Sequence, residues 1–336
     1  MADLVTAEPL LLRPDQAPQR YLEAVQTAVA ACAADTAGQT CYICYGEGDE
    51  EEGLVRMCAC RGAAGFVHIS CLARQAEVSV ERVQTFERWY SCGLCEQQYH
   101  GIVYCALAWA CWKTYVGLPE EDNRRRFAIF LLGSGLHDAE LYTDALTVKE
   151  AQLSEERRLG ADEDDILVSL SNLACSCQKG GRLEEALRIH QDVYFGSLNL
   201  HGEEHRATLG QAIYYASSLS ELQRHAEAKA LLRKTIPVAR RVLGESQHLT
   251  LRMRFFYADA LYLDDDATLD DLREAVTTLE DTERTARRVL GGASPDAMGI
   301  RAALRLARAE LRARETPPSA REAVEGTFGA GGGMRS

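Results

Sequence analysis

A chain of 336 residues is long enough for two or more folded units, and its 46% hydrophobic and 26% charged content excludes wholesale disorder. With 37 Lys plus Arg against 50 Asp plus Glu the formal charge is −13, so the basic footprint of a nucleic-acid or anionic-membrane binder is missing. Twelve cysteines are the one abnormal count.

From the N-terminus, residues 1–37 place acidic residues and prolines where a secretory leader has a basic start and a long apolar stretch; one short helix is expected there. Farther along, the longest apolar run, Ile102 to Trp112, stops at Lys113, short of the roughly 20 residues that a membrane-crossing helix needs. No membrane span is expected. The chain is therefore placed in a reducing compartment, the cytoplasm or alternatively the nucleus. There, clustered cysteines signal metal ligation or chemistry more often than disulfides.

Residues 38–100 hold the cluster. It reads C-x2-C (Cys41, Cys44), thirteen residues, C-x-C (Cys58, Cys60), seven residues, H-x2-C (His68, Cys71), twenty residues, C-x2-C (Cys92, Cys95). Each pair sits on a turn short enough to present two donors to one metal, and a tetrahedral zinc takes two such pairs. Eight donors make two sites with every position filled by protein. Such zinc ions are structural, because no position is left for the water that a hydrolytic metal activates. A segment this small buries too little apolar surface to fold alone, whereas structural zinc supplies about 10–16 kcal/mol per site in finger peptides.

The ligand order, with CACRGAAGFVHISCL at 58–72 and CGLCEQQY at 92–99, resembles the RING-variant (RING-CH) zinc finger of ubiquitin ligases. The resemblance implies a cross-brace, with Cys41, Cys44, His68 and Cys71 on one zinc and Cys58, Cys60, Cys92 and Cys95 on the other. It also implies docking of a ubiquitin-conjugating enzyme, with Ile43 and Leu94 as candidate apolar contacts; packing inside the finger is the alternative role for both. A RING-type domain forms no covalent intermediate and acts by orienting the charged conjugating enzyme, so no catalytic side chain is expected. The acidic run at 47–52 reads as a solvated loop, or as a contact to basic residues of that enzyme.

Two positions depart from the family. Gln75 stands where a Trp commonly receives the conjugating enzyme, and Glu96 follows the last ligand where many RING ligases carry a basic residue. The plant homeodomain finger shares the ligand order but has wider spacing in its second pair, fewer residues before the histidine, and a Trp two residues before the seventh ligand; Trp89 lies three before Cys92.

Residues 101–118 read as a helix bridging the finger to a helical solenoid, with a membrane-surface helix as the alternative. Beyond it, Leu/His-Gly ends at Gly160, Gly202, Gly244 and Gly291 recur at steps of 42, 42 and 47, the mark of stacked helical hairpins. Ala174, Ala216 and Ala258 keep the same register, as do Ala186, Ala228 and Ala275, with about five residues inserted near Leu263 to Thr268. Gly133 and Ala145 take the small positions of a diverged first hairpin. Pro237 interrupts a helix and should kink it. His205 and His248 read as turn or capping residues, Cys175 and Cys177 as packing residues, residues 295–315 as an Arg-rich closing helix, and residues 316–336 as a disordered tail.

These units resemble tetratricopeptide repeats of the kinesin-light-chain-like type across 119–315. That implies an α-solenoid whose concave face takes a peptide or partner protein; a rigid spacer or dimer scaffold is the alternative. The fold expected is mainly α: a small two-zinc cross-brace finger followed by the solenoid. The function expected is a zinc-binding E3 ubiquitin ligase that recruits protein substrates on its repeats, with a non-catalytic zinc-finger and repeat adaptor as the alternative.

Overall fold

The computed structural model describes residues 9–48, 52–56, 58, 60 and 62–315. The expected disordered tail and the centre of the acidic run lie outside the described residues. The chain divides into two compact units, 1–182 and 183–336.

The first unit holds α1 (Ala17–Thr36), the hairpin β1 (Leu54–Arg56) and β2 (Phe66–His68), α2 (Ile69–Val83), α3 (Gly101–Tyr115), α4 (Asn123–Asp138), α5 (Tyr142–Arg158) and α6 (Glu163–Lys179). The N-terminal helix is not short: α1 runs 20 residues, with Pro at its start, where the missing N–H costs nothing. It buries Val25, Ala28 and Cys32 against β1 and α3. Contact is so close that a Cβ on Gly53 would fall 2.2 Å from Val29 Cγ1. The finger therefore folds with a helix that precedes its first cysteine.

The bridging helix, α3, is apolar all round because α1, α2 and α4 cover it, burying Trp109, Trp112 and Tyr115. This cover leaves no apolar face for a membrane surface. Crossing α4 requires a small residue, and Gly135 supplies it: an added Cβ would lie 2.7 Å from Ala108 Cβ. Phe86, just after α2, stacks on Phe127 of α4 at 4.3 Å between ring centroids. Arg125 lies over Trp112 at 5.8 Å and pairs with Glu120 and Glu155 at 3.6 and 3.7 Å. Aromatic packing and a half-sealed ion-pair group thus join finger, α3 and the first helical hairpin.

The second unit is α7 (Leu183–His201), α8 (Arg206–Glu221), α9 (His225–Val242), α10 (His248–Tyr262), α11 (Leu269–Leu290) and α12 (Pro295–Glu315), each packed on the next. Contacts of α10 with both α8 and α12 show the hairpins stacking. The recurring alanines explain why: Ala216, Ala228, Ala258 and Ala275 are wholly buried, as Ala145 and Ala174 are in the first unit and Ala186 on α7. A larger side chain there would push facing helices apart. Gly160, Gly202, Gly244 and Gly291 have φ of 69°, 84°, 98° and 85°, the conformation that ends a helix and that other residues resist.

Other details agree with the sequence reading. Pro237 lies inside α9. His205 caps α8 by accepting from the Ala207 N–H at 3.3 Å. His248 instead opens α10 and pairs with Asp296 at 2.9 Å. The inserted segment 263–268 ends in a capping box of Thr268 with Asp271, and Arg314 of α12 donates to the Ala267 carbonyl at 2.6 Å. Cys32, Cys105, Cys111 and Cys177 are buried and Cys175 half-buried.

One buried group was not legible in the sequence. The Lys149 stem crosses Gly133, and its Nζ donates to Ser176 Oγ at 2.8 Å and to the Asn172 carbonyl at 3.1 Å, while His137 Nδ1 sits 2.9 Å from the same hydroxyl. Burial pushes the Lys149 ammonium down to about 8 from its ordinary 10.5. A depressed lysine penalises the fold fully below its folded value, and the penalty fades as pH rises toward 10.5. Urea unfolding should therefore show stability rising between pH 8 and 10 relative to a Lys149→Met variant, by on the order of 2–3 kcal/mol in total.

Candidate metal centres of the finger

Folding brings together donors that are far apart in the chain. The ligand atoms of Cys41, Cys44, His68 and Cys71 lie within 4.8 Å of one another, and so do those of Cys58, Cys60, Cys92 and Cys95. Pairing is crossed, first pair with third and second with fourth. The β-hairpin register, Leu54 opposite His68, holds the histidine at the end of β2, and α2 begins at once, so Cys71 follows one turn later. The connection between the two strands carries Cys58 and Cys60.

The remaining two pairs sit on turns with the same backbone. In the first, Cys41 N–H donates to the Gly46 carbonyl at 2.8 Å and Tyr45 N–H to the Cys41 carbonyl at 2.9 Å. In the second, Cys92 N–H donates to the Gln97 carbonyl at 2.9 Å and Glu96 N–H to the Cys92 carbonyl at 3.0 Å. Ile43 N–H points at Cys41 Sγ and Leu94 N–H at Cys92 Sγ, both at 3.4 Å. Tyr45 and Glu96 close the turns with φ of 61° and 59°.

Donor chemistry fits a tetrahedral cation. Cys60 and Cys92 sulfurs are 3.8 Å apart, and a zinc with bonds of about 2.3 Å to sulfur gives sulfur–sulfur edges of about 3.8 Å. His68 presents Nδ1 to Cys44 and Cys71 sulfurs at 3.3 and 3.8 Å, while its Nε2 faces the Glu47 carbonyl at 3.3 Å, the outer contact that orients a ligating imidazole. Burial and neighbouring sulfurs push the Cys71 thiol up to about 12 and Cys60 higher. Burial also raises Cys41, but the N–H groups around it outweigh that and bring it to about 7; Cys95 reaches about 7 through the Gln97 N–H. Sulfurs this close cannot all ionise unless a cation offsets their repulsion.

The apolar candidates occupy equivalent places in the two turns but differ in surroundings. Ile43 is half-buried against the finger core, whereas Leu94 is 57% exposed. Gln75 is half-buried on α2. Sequence reasoning missed Tyr45, 80% exposed beside the second ligand, and Arg88, whose Nη1 donates to the Cys92 carbonyl at 3.3 Å and whose guanidinium lies over Gly93. Neither carries a spacing cue.

The RING-variant domain family matches residues 41–95, and the tetratricopeptide repeat family matches 216–250. The chain thus carries a RING-variant domain and tetratricopeptide repeats. No curated protein matches the chain. Among solved structures, BtubC (BKLC) from P. vanneervenii is similar at 15% identity over 80% of this chain and 95% of that one, with a TM-score of 0.48. A Podosopora anserina putative kinesin light chain with nearly identical TPR-like repeats is similar at 16% identity over 66% of this chain and 95% of that one, TM-score 0.47.

Left-handed backbone at a residue with a side chain costs about 1–2 kcal/mol relative to glycine. Thermal unfolding of the metal-loaded protein should show Glu96→Gly raising stability by up to about 1 kcal/mol and Glu96→Val lowering it by about as much.

Proposed function

We propose that the finger binds two structural zinc ions, one on Cys41, Cys44, His68 and Cys71 and one on Cys58, Cys60, Cys92 and Cys95, and that the zinc-held turns receive a ubiquitin-conjugating enzyme. The crossed grouping of eight donors inside a RING-variant domain carries this reading. Bound zinc supplies only rigidity; Ile43 and Leu94 form the apolar contact, and the repeats recruit a protein whose lysine takes the ubiquitin. Rate enhancement then comes from orientation alone, since the amine and the thioester are held together without a protein nucleophile. The domain limits go with this assignment: 38–100 as finger, 101–118 as bridge and 119–315 as repeat region.

Gln75 and Glu96 favour a second reading. A half-buried amide in place of a large aromatic weakens an apolar docking face, and an acidic residue after the last ligand repels rather than clamps an anionic group. In that reading the finger is a zinc-stabilised adaptor that joins partners without transferring ubiquitin.

Zinc content tests the metal sites that both readings share, and discharge separates the two. Metal analysis of purified protein should give about two zinc ions per chain, falling toward one in His68→Ala, with a chelator unfolding the finger; a ratio near one in the unaltered chain contradicts the paired sites. Discharge of a ubiquitin-charged conjugating enzyme onto free lysine should be accelerated by the protein, with Leu94→Ala costing roughly tenfold, the effect of losing about 1–2 kcal/mol of apolar contact. Partner binding with no acceleration by any of several conjugating enzymes leaves the adaptor.

A further inference from the structure

The lysines of this chain are few and mostly engaged, and their placement bears on where the chain itself takes up ubiquitin. Only five of the 37 basic residues are lysine, at 113, 149, 179, 229 and 234; residues 1–112 and 235–336 have none. All five lie among the described residues. Resting on the ligase reading, we propose that self-modification falls chiefly on Lys179 and Lys234.

The reaction sets the requirement. A neutral ε-amine attacks the thioester carbonyl joining the ubiquitin C-terminus to the conjugating enzyme's cysteine. A C–N isopeptide bond forms, the C–S bond breaks, and the departing thiolate takes the proton that the amine loses. The amine must therefore be exposed and free of a holding partner.

Three lysines fail this test to different degrees. Lys149 has the amine most readily neutralised near neutral pH, yet it is 7% exposed and its Nζ is bound to Ser176 and Asn172. Its reactivity is sealed by packing. Lys229 is half-buried and paired at 3.2 Å with Asp271, the same carboxylate that completes the capping box of α11. Lys113 is exposed, but its Nζ rests 3.9 Å from the centre of the Tyr21 ring, a hold that withholds the amine by about 3- to 5-fold.

Lys179, the last residue of α6, and Lys234, on α9 at the rim of a small cleft lined also by Tyr194, Leu198 and Thr208, are exposed and make no ion pair, hydrogen bond or ring contact among the described residues. Lys179 shares the first compact unit with the finger, and Lys234 lies in the second. Because the finger has no lysine, its docking turns escape modification, and transfer is directed to two free amines or to a bound partner.

The test uses the full chain with ubiquitin-activating and conjugating enzymes. Discharge onto free lysine reads the ligase activity, and peptide mapping reads the acceptors in the unaltered chain, Lys179→Arg, Lys234→Arg and the double variant. Expected are isopeptide remnants at Lys179 and Lys234 and a loss of self-modification of about 5-fold or more in the double variant, with discharge onto free lysine unchanged. Remnants chiefly at Lys113, Lys149, Lys229 or the terminal amine, or an undiminished signal in the double variant, overturn the acceptor assignment and leave the ligase reading standing. If no discharge occurs the ligase reading falls. Acylation of the same protein by a soluble N-hydroxysuccinimide ester then judges the exposure argument by itself: Lys179 and Lys234 should react first, and preferential labelling of the other three overturns it.

Discussion

Repulsion among crowded sulfurs is the constraint on which the finger depends. Seven cysteine sulfurs and one imidazole are gathered into two groups, each within 4.8 Å, inside a region whose one sheet among the described residues is a three-residue hairpin. Such a sheet does not hold four chain-distant segments together by hydrogen bonds alone. A cation in each group changes the sign of the interaction, turning mutual repulsion into four shared bonds. The crossed pairing then matters mechanically. Each group brings one close pair against another at least 20 residues away, so a cation bound in it would tie the two halves of the finger together.

Around that centre the first unit is built by ordinary packing. With α3 covered on several sides, the finger has a helical floor in place of the core it lacks, and α1 closes another flank through the Gly53–Val29 approach. Phe86 on Phe127 and Arg125 over Trp112 carry the contact on to α4 and α5. Finger and first hairpin consequently share one compact unit, and the division between units falls after α6, inside the stretch that the sequence reads as a continuous repeat array.

Legibility in the sequence follows from how local each constraint is. Ligand pairs are short-range patterns, so all eight donors and their close spacing could be read directly, and the family resemblance supplied the crossing that spacing leaves open. Repeats are legible because the same local demand recurs: a left-handed glycine ends each unit, and a small residue sits at each crossing. What stayed hidden depends on one contact between segments far apart in sequence. Gly135 against Ala108, Gly53 against Val29, and Lys149 on Ser176 beside His137 each occur once, with no period or motif to announce them. The length of α1 was missed for the same reason: its sequence is only weakly amphipathic, and its stability comes from the surfaces it covers.

The two ligand turns show how far a motif determines its own chemistry. Their hydrogen bonds, N–H to sulfur contacts and left-handed closing residues are the same, so C-x-x-C takes one backbone in both halves of this finger. Exposure differs because the surroundings differ. The first turn is pinned to the hairpin, with Tyr42 N–H donating to the Phe66 carbonyl at 3.0 Å, which draws Ile43 against the core. The second is held from behind, by Arg88 on the Cys92 carbonyl and by Tyr99 N–H on the Tyr90 carbonyl at 2.9 Å, which leaves Leu94 facing outward. In the proposed docking, a partner that grips both turns would meet one apolar group already half-committed to the fold and one that is 57% exposed, so most of the discriminating contact would fall to Leu94.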